Sequence, residues 1–178
     1  MSKTNSIVAA GFGGQGMLFA GRQLALTGMY LDKNVTWLPS YGAESRGGTS
    51  NCTVIISDDE IGSPVTANPD ILFAMNLPSY LKFHDTIEKG GNLICNSSLI
   101  SAKSSRDDIN KYYIPATELS YEHNVPANVI MLGRLIKATE IFTFDELVMS
   151  LEKSLPESKK HLLDKNVRAL SLGLEYDG

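Results

Sequence analysis

Cysteine is scarce in this sequence: Cys52 and Cys95 are the only two among 178 residues. They stand far apart, with no CxxC pair or four-cysteine spacing. Because iron–sulfur clusters are held by sets of cysteine thiolates at short spacings, the chain cannot bind such a cluster by itself. Each cysteine lies in an apolar stretch typical of a strand, so we expect two reduced thiols in the core.

Long apolar runs and an excess of basic residues are also missing. The apolar run at residues 7–10 is too short for a signal peptide, and no later stretch approaches a membrane span. The formal net charge is −4, and the basic residues are scattered. This gives no indication of binding to nucleic acid or to an anionic membrane. We therefore expect a cytoplasmic protein.

Histidine is equally sparse, with three widely separated residues, His84, His123 and His161. This spacing does not indicate a catalytic set, and we expect all three at the surface. The sequence predicts neither a catalytic residue nor a metal site within the chain.

The pattern of apolar residues predicts strands and helices in one domain, residues 1–178. Six apolar segments are predicted strands: residues 6–10, 34–38, 51–57, 70–75, 92–96 and 111–114. Segments with helical spacing are predicted helices: residues 15–30, 78–87, 116–123, 127–138, 144–155 and 159–174. Strands that are apolar on both faces favour a three-layer α/β/α sandwich with a largely parallel or mixed, Rossmann-like sheet.

A glycine-rich turn, Gly-Phe-Gly-Gly-Gln-Gly at residues 11–16, joins the first predicted strand to the first helix. It satisfies G-x-G-x-x-G in the strand–turn–helix context where that pattern is informative. Glycines let a ligand approach the main chain, and a helix N-terminus favours a phosphate. The alternative is that the glycines serve only close packing of strand and helix. The candidate ligand residues are Gly11, Gly13, Gly14, Gln15 and Gly16.

The turn lacks one feature of a dinucleotide site. Such a site needs an acidic residue at the end of the second strand to bind the ribose hydroxyls. Here the second predicted strand is followed by Pro39-Ser40, and Asp32 precedes the strand. A standard NAD site is therefore disfavoured.

A second glycine-rich segment, residues 41–48 (Tyr-Gly-Ala-Glu-Ser-Arg-Gly-Gly), follows the second predicted strand. We expect it at the same sheet edge as the first turn. The guanidinium of Arg46 can pair with phosphate or carboxylate, and Glu44 could orient it. There are two alternatives: Glu44 and Arg46 form an ion pair that only fixes the loop, or the loop contacts another subunit. The candidate ligand residues here are Glu44, Arg46, Gly47 and Gly48.

These motifs together resemble the γ subunit of 2-oxoacid:ferredoxin oxidoreductases, equivalent to the γ domain of pyruvate:ferredoxin oxidoreductase. The similarity spans nearly the whole chain and is carried by residues 11–16, Ser-Tyr-Gly-Ala-Glu-Ser-Arg-Gly-Gly-Thr at 40–49, Ile-Gly-Ser-Pro at 61–64, Asp70, Gly90-Gly91, Asn128, Leu132-Gly133 and residues 165–173. One departure is Ala43, where many relatives carry proline.

The resemblance implies a subunit without catalytic groups of its own. Enzymes of this family oxidatively decarboxylate a 2-oxoacid, pass the acyl group to coenzyme A and reduce ferredoxin. Partner subunits (α, β and a ferredoxin-like δ) hold thiamine diphosphate, magnesium and iron–sulfur clusters. Coenzyme A is the ligand implied for residues 11–16. The segment at residues 46–51 is more similar to the 2-oxoglutarate and branched-chain types than to the pyruvate type.

Two other functions remain alternatives: a free-standing nucleotide-dependent oxidoreductase, and an assembly subunit whose glycines serve packing alone. A subunit interface should leave exposed apolar side chains on the isolated chain. We expect them near Trp37, Leu38 and Tyr41, where a homodimer contact is a further alternative.

Overall fold

The computed structural model describes residues 3–41 and 49–178. Within them, strands and helices follow one another as β1 (Thr4–Phe12), α1 (Met17–Tyr30), β2 (Asn34–Tyr41), β3 (Thr49–Ser57), β4 (Ile71–Ala74), α2 (Leu77–Phe83), β5 (Asn92–Asn96), β6 (Asn110–Ile114), α3 (Ala116–His123), α4 (Ala127–Thr139), α5 (Phe144–Ser154) and α6 (Leu163–Glu175). Short 3₁₀ helices follow α2 at His84–Thr86 and α5 at Glu157–Leu162.

The strands form one sheet in the order β2–β3–β1–β4–β5–β6. β1, β4, β5 and β6 are parallel, whereas β3 is antiparallel to both β1 and β2. The predicted α/β class is confirmed, and its sheet is mixed. Because β2 runs in the same direction as β1, both strands end at one edge, where Gly11 and Tyr41 each pair with Ser50. We call this the carboxyl edge; β4, β5 and β6 end there too.

The sheet separates two apolar cores. Side chains alternate between its faces, so that Ile7 of β1 joins one core and Val8 the other. The first core packs against α1, α4, α5 and α6 and contains Phe73. The second lies beneath α2 and the segment that follows β5, and contains Leu72 and Ile100. The prediction of strands buried on both faces is therefore confirmed for β1, β4 and β5.

Helices α4 and α6 are in direct backbone contact through two glycines. A Cβ atom added to Gly173 would lie 1.8 Å from the carbonyl oxygen of Ile130, and one added to Gly133 would lie 2.1 Å from that of Leu170. Beside this crossing the buried guanidinium of Arg134 donates hydrogen bonds of 2.6 Å to two carbonyl oxygens near the chain's C-terminus. The last helix is thus fixed against α4 rather than loosely attached.

The second strand is longer than predicted. The sequence predicted that it stops before Pro39, yet β2 continues to Tyr41. Proline has no backbone N–H, but β2 is an edge strand that pairs only with β3 among the described strands. The missing N–H of Pro39 can therefore be tolerated on the open side of the strand. Trp37 and Leu38 are 37% and 40% exposed, as predicted. Because successive residues of a strand point to opposite faces, however, the two side chains do not form one apolar patch. The side chain of Tyr41 lies outside the described residues.

His84 was predicted at the surface, and that prediction is wrong. Its side chain is buried, with Nε2 2.7 Å from the hydroxyl of Ser104 and Nδ1 2.8 Å from a carboxylate oxygen of Asp85. The ring also packs beside Tyr80, with centroids 4.7 Å apart. These hydrogen bonds join the end of α2 to the segment after β5. Because Ser104 is itself buried, its hydroxyl is not exposed as a nucleophile.

Candidate functional site at the carboxyl edge

Residues 11–16 form a tight turn between β1 and α1. Gly14 and Gly16 have φ angles of +92° and +76°, which favour glycine because a side chain is strained there. α1 consequently begins at Met17, two residues later than predicted. A Cβ atom at Gly16 would also displace the amide of Asn128, so both the backbone angle and this neighbouring side chain favour glycine here.

Gln15 ties the turn to the neighbouring strand end. Its Oε1 accepts a hydrogen bond of 2.7 Å from the N–H of Phe12 and one of 3.0 Å from Nδ2 of Asn76. Asn76 follows β4 and caps α2, its side-chain oxygen accepting from the N–H of Ser79 at 3.0 Å. The oxygen of Gln15 is therefore used to position the turn, and its amide nitrogen faces no hydrogen-bond acceptor among the described residues.

Among residues 3–41 and 49–178, no side chain compensates the N-terminus of α1. No side chain caps it, its first turn contains no acidic residue, and its hydrogen bonds begin with Ala20 donating to the carbonyl of Gly16 at 3.0 Å. Three N–H groups, of Met17 to Phe19, are thus left without intrahelical acceptors. Together with the helix dipole they favour an anion.

A second helix N-terminus meets the same turn. α4 begins after Pro126, again with no side-chain cap and no acidic residue in its first turn. Asn128 in that turn donates a hydrogen bond of 3.1 Å to the carbonyl of Gly16. Two uncompensated helix starts therefore lie next to one another, and both contribute positive potential without a basic side chain.

A cleft of about 490 Å³ opens beside the turn. Its lining residues, none of which carries a charge at neutral pH, are Gly14, Gln15, Met75, Leu99, Thr117, Ser120, Tyr121, Pro126, Ala127 and Asn128. They come from the segments that follow β1, β4, β5 and β6, which is where ligands bind on α/β sheets. A larger cavity, of about 600 Å³, lies at the opposite edge beside Asn34 and Glu60.

Buried hydrogen bonds hold the cleft wall in place. Asn96, fully buried at the end of β5, donates 3.3 Å to the carbonyl of Met75 and 2.9 Å to the hydroxyl of Thr117. Its side-chain oxygen accepts from the N–H of Thr117 at 3.4 Å. Further along α3, the hydroxyl of Ser120 donates to the carbonyl of Val125 at 2.6 Å. The partly buried hydrogen bonds of Thr117 and Ser120, with the fully buried amide of Asn96 behind them, thus preorganise the wall.

The predicted ligand residues of the turn differ in their surroundings: some face the cleft and one is packed inside the sheet. Gly14 and Gln15 line the cleft, and a Cβ at Gly13 would meet no atom within 4 Å. Gly11 pairs with Ser50 inside the sheet and is packed against Gln15 and Met17, as the packing alternative describes. The ligand role of these residues, Gly16 included, stays a prediction.

Glu44, Arg46, Gly47 and Gly48 lie outside the described residues. The residues on either side of that segment, Tyr41 and Thr49, both lie at the carboxyl edge, where Thr49 pairs with Phe12. The segment therefore begins and ends beside the glycine turn, as expected. The role of its four candidate residues stays a prediction.

Sequence interpretation missed the wall formed by Leu99, Thr117 and Tyr121. These residues carry no glycine or charge motif, and they are brought to the cleft by chain topology alone. The sequence could have indicated this wall only through the position of these residues after β5 and β6. The carboxyl ends of parallel strands meet at one edge of the sheet.

The two cysteines are confirmed as free, buried thiols. Burial raises the pKa of Cys52 to about 11 and that of Cys95 to about 12. Because metal ligation needs the thiolate, neither is suited to hold a cluster. Within residues 3–41 and 49–178, no three His, Cys, Asp or Glu side chains are grouped so that they could hold a metal ion. No helix in these same ranges has the length and apolar character needed to cross a bilayer.

Residues 6–176 match the model of the pyruvate ferredoxin/flavodoxin oxidoreductase family. The chain belongs to this family. The resemblance drawn from the glycine turn and residues 40–49 is confirmed, since the match covers nearly the entire sequence.

Two relatives show how this domain occurs in the family. The chain is 35% identical over 171 residues to the 2-oxoglutarate synthase subunit KorC of Methanocaldococcus jannaschii, covering 93% of this chain and 90% of KorC. It is 36% identical over 169 residues to the ketoisovalerate oxidoreductase subunit VorA of Methanothermobacter thermautotrophicus, covering 94% of this chain but 35% of VorA. This chain thus spans about a third of the length of VorA.

Solved structures share the fold. The γ subunit of keto/oxoacid ferredoxin oxidoreductase from Geobacter sulfurreducens superposes with a TM-score of 0.79 at 26% identity, covering 96% of both chains. The 2-oxoglutarate:ferredoxin oxidoreductase from Magnetococcus marinus, solved with 2-oxoglutarate, coenzyme A and succinyl-CoA bound, gives a TM-score of 0.86 at 22% identity, covering 96% of this chain and 30% of that one. The relation to γ-type subunits of 2-oxoacid oxidoreductases is confirmed.

Proposed function

We propose that the chain is the γ-type subunit of a multi-subunit 2-oxoacid:ferredoxin oxidoreductase, and that its carboxyl-edge cleft forms part of the coenzyme A site. The enzyme would oxidatively decarboxylate a 2-oxoacid, pass the acyl group to coenzyme A and send the electrons to ferredoxin. The observation that carries the ligand proposal is the meeting of the glycine turn with two uncompensated helix N-termini beside an uncharged cleft.

Coenzyme A fits this cleft in charge and in size. Its phosphates are anions, and the N–H groups at the start of α1 suit them, since the described residues that line the cleft include no carboxylate to repel them. Cavities that hold small ligands are typically about 300–1,000 Å³, and this one, at about 490 Å³, would enclose part of the molecule. Arg46, which lies outside the described residues, is the basic side chain that the sequence predicts for the same edge.

The role of this chain is to bind and orient rather than to react. Gln15 and Asn128 fix the turn and so aim the α1 N–H groups at one place. The neutral, hydrogen-bonded wall at Asn96 and Thr117 excludes charge from the rest of the cleft. When bound, coenzyme A supplies the thiol that accepts the acyl group. Thiamine diphosphate, magnesium and iron–sulfur clusters belong to the α, β and ferredoxin-like δ subunits.

The longer relatives support a permanent complex. In VorA, and in the Magnetococcus marinus enzyme, the equivalent domain makes up about a third of a longer chain. A domain that is covalently joined to the rest of its enzyme in some relatives is expected to stay associated with the corresponding subunits where it is separate, as in KorC. The expected substrate is 2-oxoglutarate or a branched-chain 2-oxoacid, and the expected location is the cytoplasm.

Co-expression with candidate α and β subunits tests this proposal. The chain should co-purify with them, and the complex should reduce ferredoxin or a viologen dye only when both a 2-oxoacid and coenzyme A are present. A panel of pyruvate, 2-oxoglutarate and 2-oxoisovalerate identifies the substrate. A stable monomer with no affinity for thiamine-dependent partners would contradict the proposal, and tight binding of NAD or FAD by the isolated chain would favour a free-standing oxidoreductase.

A further inference from the structure

Tyr121 lines the cleft yet remains open to water. Its side chain is 84% exposed, the largest value among the big apolar residues of the described ranges. Its hydroxyl makes no hydrogen bond to any residue within 3–41 and 49–178. Leu99, on the segment after β5, also lines the cleft and is 43% exposed. Neither side chain is buried in the core, so both are available to contact a ligand in the cleft.

The helix that carries Tyr121 is held firmly at both ends. Thr117 is bound by the buried amide of Asn96 at 2.9 Å, and Asn124 adopts a left-handed conformation in which its N–H donates to the carbonyl of Ser120. The hydroxyl of Ser120 closes the following turn. The ring of Tyr121 is therefore carried on a fixed support, which lowers the entropic cost of binding a ligand there.

A ligand whose phosphates lie at the glycine turn must place its other groups along the cleft. The wall at Leu99 and Tyr121 offers an exposed aromatic face and an aliphatic side chain with no charge nearby in the lining. Such a surface does not attract phosphate, but it suits a flat, neutral heterocycle. Purine rings stack on aromatic side chains.

We infer that Tyr121, with Leu99 beside it, binds the adenine ring of coenzyme A by stacking. This assignment rests on the proposed function of the cleft and specifies its orientation. The adenosine end lies against α3, and the phosphates lie at the start of α1. Tyr121 then distinguishes coenzyme A from thiols that lack the base.

Ligand affinity measured on the assembled complex tests the assignment. Tyr121→Ala should weaken the binding of coenzyme A roughly tenfold, whereas Tyr121→Phe should keep the wild-type affinity because the ring remains. 4′-Phosphopantetheine, which lacks the adenosine portion, should bind the wild-type and Tyr121→Ala complexes equally. Met29→Ala, which removes a side chain 58% exposed at the far end of α1, is the matched control and should change neither affinity.

Three results would overturn the assignment. They are an unchanged affinity of Tyr121→Ala for coenzyme A, an equal loss for coenzyme A and 4′-phosphopantetheine, and release of the chain from its partners on Tyr121→Ala. The last result would identify Tyr121 as a subunit contact. A wild-type complex that binds no coenzyme A at this chain would instead contradict the proposed function itself, so the two failures are distinguishable.

Discussion

Gln15 is the single residue on which the shape of the glycine turn most depends. Its side-chain oxygen receives hydrogen bonds from Phe12 and Asn76, so it joins the ends of β1 and β4. A carboxylate can accept both hydrogen bonds equally well. Replacing the amide of Gln15 by a carboxylate therefore adds a negative charge to the turn while keeping its hydrogen bonds.

Gln15→Glu should therefore leave the fold intact and weaken coenzyme A binding. We expect the KM for coenzyme A in the assembled complex to rise roughly tenfold or more, because a carboxylate beside the helix start repels phosphate. The KM for the 2-oxoacid should not change. Ala67→Glu, which adds the same charge in the exposed segment before β4, at the opposite edge, is the control. Equal KM values for Gln15→Glu and wild type would show that phosphate does not bind here.

The buried thiols give a second prediction at this scale. With pKa values raised by burial to about 11 and about 12, Cys52 and Cys95 are almost wholly protonated at pH 8. A thiol reagent such as dithionitrobenzoate should find no reactive thiol in the native chain and two after denaturation. Rapid labelling of the native chain would contradict their placement in the core.

The same shifts set a pH dependence. A thiol whose pKa is raised in the folded state binds its proton more tightly there than in the unfolded chain. Its contribution to stability is complete below the ordinary thiol pKa and is lost as the pH rises through the folded value of about 11 for Cys52. The free energy of unfolding of the wild type should fall more steeply above about pH 9 than that of Cys52→Ala, as urea titrations can measure.

Among the elements, the crossing of α4 and α6 is the most demanding contact. The backbones approach so closely that a methyl group at Gly173 would overlap the carbonyl of Ile130. Gly173→Ala should destabilise the chain by roughly 2–3 kcal/mol, because the helices must separate to admit it. Gly62→Ala, where an added Cβ meets no atom within 4 Å, should change stability by less than about 0.5 kcal/mol. Similar urea midpoints for the two variants would disprove the close crossing.

Most elements were predictable because each depends on local pattern. β5 and α3 have the predicted bounds, and the capping box of Thr143 and Glu146 that begins α5 is an equally local feature. The order of the strands was not predictable. β3 inserts antiparallel between β1 and β2, and nothing in its apolar sequence distinguishes that placement from a parallel one. The same holds for the glycines at residues 133 and 173, whose partner helices are distant in sequence.

The candidate site was predictable only where it has a motif. The glycine turn, and the proposal that it binds phosphate, follow from local sequence, whereas the wall at Thr117 and Tyr121 depends on strand order and could not be predicted. A buried polar residue such as Asn96 is harder still to predict, since its side-chain partners, Met75 and Thr117, come from two segments that are distant in sequence. The sequence thus indicated the end of the cleft that we propose for the phosphates, and gave no signal for the end that we assign to the base.

At the scale of the whole molecule, we expect a folded domain that acts only within a complex. The isolated chain should be cooperatively folded, with α/β circular dichroism, and should show no oxidation of any 2-oxoacid. Adding α and β subunits should restore coenzyme A-dependent turnover. Turnover by α and β alone, with an unchanged KM for coenzyme A, would contradict a role for this chain in ligand binding.

Hydrogen–deuterium exchange of the assembled complex, with and without coenzyme A, tests the central claim most directly. The free N–H groups at the start of α1 and the wall along α3 should exchange more slowly when the ligand is present. We expect protection in peptides covering residues 11–19 and 117–128, with none in the segment before β4. Protection limited to the partner subunits, with both of these peptides unchanged, would contradict it.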